Sequence, residues 1–136
     1  MSRQIFVNLP IKNMDRTQAF FGALGFSFNP QISNEQGACM VISDGIYAML
    51  LVESFFQTFT KKKIADATRT TEVLLCLSCE SRAEVDLLVK KALAAGGTAP
   101  NPPQDHGFMY GHGFTDLDGH IWELAYMEPN AVPPQP

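Results

Sequence analysis

The order strand, helix, strand, strand, strand occurs twice along this chain, at about 4–53 and 72–127. An internal repeat of that kind constrains the fold more than any other feature of the sequence. In the first copy, residues 4–9 alternate as a short strand. Asn13 or Asp15 then caps a helix that carries Phe20, Phe21 and Leu24 on one side, and Gly25 stops it. Short strands are expected at 26–29, 37–43 and 46–53, with turns at 34–37 and at Ser43-Asp44-Gly45. In the second copy, residues 73–78 read as a strand and Ser81-Arg82-Ala83-Glu84 as a capping box. The box opens a helix with Val85, Leu88, Val89, Ala92 and Leu93 at helical spacing, ended by Gly96-Gly97. Strands are expected at about 97–99, 107–115 and 121–127, the last two joined by Asp116-Leu117-Asp118-Gly119. With 136 residues, of which 46% are hydrophobic, the chain suits one compact domain or two intimately packed halves. It has too much apolar content to be disordered over most of its length.

Ten basic residues against fourteen acidic ones give a net charge of −4. That argues against nucleic acid and against an anionic membrane surface, since both need a basic face. The apolar run over 47–52 is far short of the roughly 20 residues that span a bilayer. Met-Ser-Arg-Gln leads directly into the first strand, so no signal peptide is expected and the chain reads as cytoplasmic. Cys76-Leu-Ser-Cys79 has a Cys-x-x-Cys spacing, but in a strand its two thiols point to opposite faces, which suits small buried residues better than a redox or zinc motif. The connector 54–71 holds Phe55, Phe56 and Phe59 on one side of a helical turn, followed by Lys61-Lys62-Lys63. It reads as a packed linker bordering a dimer interface, with a mobile lid as the alternative. The proline-rich tail 128–136 is expected to be flexible.

Asp116-Leu-Asp-Gly-His-Ile-Trp-Glu-Leu124 resembles the last hairpin of the vicinal oxygen chelate superfamily, the group of glyoxalases, extradiol dioxygenases, fosfomycin-modifying enzymes and bleomycin-resistance proteins. The opening, Leu9-Pro-Ile-Lys-Asn-Met-Asp-Arg16 leading to Phe20-Phe21 and Leu24-Gly25-Phe26, is similar to that family's first strand and helix. The resemblance covers about residues 4–127. It implies an α+β fold of two βαβββ modules that form a small-molecule cleft, and, as in many members, a homodimer.

Metal-dependent members of the family place ligands on the first and last strand of each module. On those positions this chain has Phe6, Met49, Glu123 and, for the first strand of the second module, Glu72 as the best match. Only Glu123 and Glu72 are able to ligate an ion there. A divalent catalyst wants three or more protein ligands and an open position, so the inherited site looks incomplete and no cofactor is expected, with a divalent metal as the alternative. Glu123 shares a strand face with Ile121 and Ala125, where an unpaired carboxylate is costly to bury. It is the residue expected to accept a proton from a ligand or to pair with a cationic one. Glu72 is expected on the face of Leu74 and Cys76, close enough to couple to it.

His112 lies between Tyr110 and Phe114 on one strand face, either as a proton-transfer group or as a hydrogen-bonded wall residue. His120 reads as turn chemistry and His106 as a loop residue. Candidate catalytic residues are therefore Glu123, Glu72 and His112. Candidate ligand-binding residues are Phe6, Asn8, Tyr47, Met49, Tyr110 and Phe114. Three classes of function remain open. The first is a metal-poor small-molecule binding protein or metal-independent enzyme, and the second is a divalent-metal lyase or dioxygenase of the glyoxalase type. The third is a structural relative whose cleft is filled by its own side chains.

Overall fold

The computed structural model describes residues 2–130. Its contacts divide the chain into two units, Met1–Ala65 and Asp66–Pro136, each built around one copy of the repeat.

The first unit runs β1 (Ile5–Ile11), α1 (Met14–Ala23), β2 (Ser27–Asn29), β3 (Gly37–Ser43), β4 (Ile46–Val52) and a single turn of helix, α2 (Glu53–Phe56). Asn13 is the helix cap, its side chain accepting from the Arg16 N–H at 3.0 Å. The sheet order is β1-β4-β3-β2, with β1 and β4 parallel and the other neighbours antiparallel. Register decides which residues share a face. Leu9, Leu50 and Ala38 stand side by side and are buried on the face that α1 covers with Phe20 and Phe21. Each large side chain buried this way is worth about 1.5–3 kcal/mol. The other face carries Phe6 beside Tyr47 and Asn8 beside Met49. Phe55 folds back over one end of that face, against the position of Gly37.

The second unit repeats the plan with β5 (Leu74–Ser78), α3 (Arg82–Ala94), β6 (Gln104–Asp105), β7 (Met109–Thr115) and β8 (Ile121–Met127), in the order β5-β8-β7-β6. Again the first and last strands pair in parallel. Ser81 caps α3 by accepting from the Glu84 N–H at 3.0 Å. Glu84 accepts from the Glu80 N–H, one residue before the cap rather than at it. Val85, Val89 and Ala92 of α3 bury against the face of Phe114, Trp122 and Leu124. The rings of Phe114 and Trp122 stack at 6.5 Å.

The structure departs from the sequence reading where prolines intervene. The strand expected at 97–99 is reduced to a single bridge from Thr98 to Thr115, and β6 takes the sheet edge at 104–105 instead. Pro100, Pro102 and Pro103 have no N–H to donate to a ladder, which interrupts pairing between the two points. In the connector, read as a packed linker, Phe55 and Phe56 are half-buried and Phe59 is largely exposed. Residues 131–136 of the tail lie outside the described residues. Glu128 at its start is tied down, its N–H donating to the Phe108 carbonyl and its carboxylate accepting from Arg82.

Candidate functional site

The turn before β8 fixes where its side chains point. Asp116 is buried and accepts from the Asp118 and His120 N–H groups with one oxygen and from the indole of Trp122 with the other, at 2.9–3.0 Å. Burial pushes the Asp116 carboxyl above its ordinary value, while the charge of His120, the indole and the two backbone N–H groups pull it back. Gly119 has φ +93°, and an added Cβ there would lie 2.6 Å from the backbone of Ala67. The Asp-Leu-Asp-Gly turn is thus held both by its own carboxylate and by the connector lying on it. It sends Trp122 and Leu124 toward α3 and leaves Ile121, Glu123 and Ala125 on the open face.

On that face Glu123 stands opposite Cys76 in the parallel ladder and opposite Gly113 in the antiparallel one. Gly111 and Gly113 present no side chains beside it, and a Cβ at Gly113 would come within 2.8 Å of the Trp122 carbonyl oxygen. The result is a cavity of about 410 Å³ floored by Cys76, Gly111, Glu123 and Ala125 and bordered by Asn101, Pro102 and His106. Glu123 is exposed within it, so the desolvation expected from its apolar strand neighbours is absent. Among the described residues no hydrogen bond or ion pair reaches its carboxylate.

Two expected placements change. Glu72 is exposed and lies ahead of β5, which begins at Leu74, so it does not start the strand. The ladders give the reason. Phe6 pairs with Tyr47 two positions before Asn8 pairs with Met49, and Leu74 pairs with Ile121 two positions before Cys76 pairs with Glu123. The counterpart of Phe6 in the second module is therefore Leu74, and the alignment onto Glu72 slips by two residues. Tyr110, His112 and Phe114 do share a face, but it is the helix-covered one rather than that of Glu123. Phe114 is buried under α3, and Tyr110 donates to Asp86 on that helix at 2.6 Å. His112 nevertheless lines the cavity wall, with Nε2 3.1 Å from the carbonyl oxygen of Asn101.

The first module does bring its candidates together. Phe6 and Tyr47 stack at 4.8 Å and 15°, with Phe6 45% exposed, and Asn8 and Met49 follow on the same face. Of the ladder positions, Phe6 and Leu74 offer hydrocarbon, Met49 a thioether and Glu123 alone an oxygen. That donor set does not fit a divalent catalyst.

The thiols are poor nucleophiles. Partial burial, and then the Glu123 carboxylate, raise Cys76 above its ordinary value. Burial, and then the charge and hydrogen bond of Glu84, push Cys79 up to about 11. Burial raises Cys39 as well. The expectation that Cys76 is a buried strand residue fails, because it is exposed on the open face. What the sequence reading missed is the opening at Gly111 and Gly113. Two glycines alternating within one strand were its signal.

Comparison with known proteins agrees with this geometry. Residues 3–43 match the family model for the bleomycin resistance protein-like N-terminal region. A hypothetical protein of S. aureus, SA1046, superposes with a TM-score of 0.78 at 29% identity over 93% of this chain and 95% of its own. A glyoxalase/bleomycin resistance protein/dioxygenase family enzyme from Burkholderia phytofirmans gives 0.77 at 17% identity, over 93% and 100%. The fosfomycin resistance protein FosX of Listeria monocytogenes gives 0.67 at 18%, over 97% and 96%. No curated protein sequence matches. In fold and in its paired modules the chain is similar to the glyoxalase/bleomycin resistance protein/dioxygenase structures.

Proposed function

We propose that the chain is a metal-poor small-molecule binding protein, or a metal-independent enzyme, of the glyoxalase/bleomycin-resistance type, acting as a cytoplasmic homodimer. The observation that carries this reading is the pattern of ladder positions. Phe6, Met49 and Leu74 replace oxygen and nitrogen donors with apolar side chains, while Glu123 keeps a carboxylate free in a cavity. The stacked Phe6–Tyr47 pair offers a planar apolar surface of the sort on which small ligands rest. Glu123 is able to hold a proton donor or take a proton, whereas Glu72 lies away from that ladder. His112, engaged by Asn101, serves to position the cavity border. No helix among the described residues is long and apolar enough to cross a membrane.

Elemental analysis of the purified protein tests the reading. Substoichiometric metal in the wild type, and none gained on adding zinc, nickel, manganese or iron, is the expected outcome. A stoichiometric ion that is lost in Glu123→Ala would establish the alternative, a divalent-metal lyase or dioxygenase.

A further inference from the structure

We infer that the cavity of the second module selects organic cations, ammonium or guanidinium groups on a compact apolar body, through Glu123. This rests on the small-molecule reading above and names the ligand class of that same site. Among the described residues, Glu123 is the single carboxylate lining the cavity, and no lysine or arginine lines it. The cations nearest in sequence to its walls are committed or face away. Arg82 holds Asp105 at 2.9 Å, Glu128 at 3.1 Å and the Gly107 carbonyl at 3.2 Å, and stacks over the Tyr110 ring at 5.2 Å. Lys90 and Lys91 belong to α3, on the opposite side of the sheet.

The other polar walls, Asn101 and Gln104, are neutral, and Cys76 stays a thiol. His106 and His112 also line the cavity, His112 with Nε2 3.1 Å from the Asn101 carbonyl oxygen. An anion entering the cavity would thus meet an uncompensated negative charge. A cation would gain a charge-assisted hydrogen bond, which is roughly twice as strong as a neutral one. Ile121, Ala125 and Met109 supply apolar contact for the body of the ligand. Gly111 and Gly113 leave the carboxylate approachable from the β7 side.

Matched probes of one shape test this: benzylamine, benzyl alcohol and benzoate, titrated against the full chain by amide chemical shift. Benzylamine is expected to bind about tenfold more tightly than the alcohol, or ~1.4 kcal/mol, with benzoate weakest. Glu123→Gln should bring the amine down to the alcohol and leave the alcohol unchanged. Occupancy should also slow alkylation of Cys76 by iodoacetamide in the wild type, a readout independent of whether the variant folds. If the alcohol or benzoate binds as tightly as the amine while protecting Cys76, the cation assignment is wrong and the cavity stands. If none of the three shifts the amides of 111–113 and 123–125 or protects Cys76, the cavity is not a ligand site and the underlying reading falls with it.

Discussion

Asp116 shows how one side chain sets the geometry of the site without touching a ligand. Its two oxygens serve three donors, the N–H groups of Asp118 and His120 and the indole of Trp122. Asn at this position keeps one acceptor but turns an NH₂ toward either the indole or the backbone N–H groups. Asp116→Asn is therefore expected to cost about 1–3 kcal/mol, the penalty of a buried donor left without an acceptor. The pH dependence has a definite sign. Burial raises the folded value of Asp116 above its ordinary 3.8, so the stability linked to its protonated form is complete below that value. It is lost as pH rises through the raised folded value. The variant has no such loss, so the gap between the two proteins should be widest in acid and narrow as Asp116 ionises. Urea denaturation of both across the acid range measures it, and a gap that widens with pH would contradict the assignment.

At the scale of elements, both helices, their caps and the long strands were legible because each obeys a local rule. Strands β3 and β8 have the limits expected from their turns, and Ser81 and Asn13 cap as small polar residues before an apolar period should. β6 was not legible. Its two residues carry no hydrophobic pattern, and it is held at the edge largely by side chains. Arg82 bonds to Asp105 and to the Gly107 carbonyl, and Asp105 accepts from the Gly107 N–H at 3.0 Å. That N–H, and then the guanidinium, hold the Asp105 carboxyl below its ordinary value. A lowered carboxylate stabilises above its unfolded value near 3.8 and ceases to do so as pH falls through the folded one. Amide exchange at Asp105 and His106 is expected to accelerate several-fold on acidification through that range, relative to the amides of β7. Arg82→Gln should produce a similar acceleration already at neutral pH. Unchanged exchange in the variant would mean that β7 alone holds β6 in place.

For the whole molecule, the two copies of the repeat explain both what the sequence revealed and what it concealed. Matching the copies located the folds of both modules, but matching residues by motif misplaced Glu72, because the first strand of the second module starts later than the motif suggested. Only the ladder register identifies Leu74 as the counterpart of Phe6. The same register exposes a problem of solubility. In each module the first strand is an edge of its sheet, and those edges carry Ile5, Phe6 and Leu74, exposed at 55, 45 and 54%, with Ile46 at 42% beside them. Exposed apolar edge strands invite pairing or coverage by another surface. A second copy of the chain, covering these strips through a two-fold axis, answers that need. The expected result is therefore a homodimer at micromolar concentration in light scattering. Replacing Ile5 and Leu74 together with lysine should shift it to monomer without unfolding either module, as judged by the far-ultraviolet circular dichroism. These two side chains are more than half exposed, so the substitution removes association rather than core. A wild-type protein that scatters as a monomer would show that these edges are tolerated uncovered.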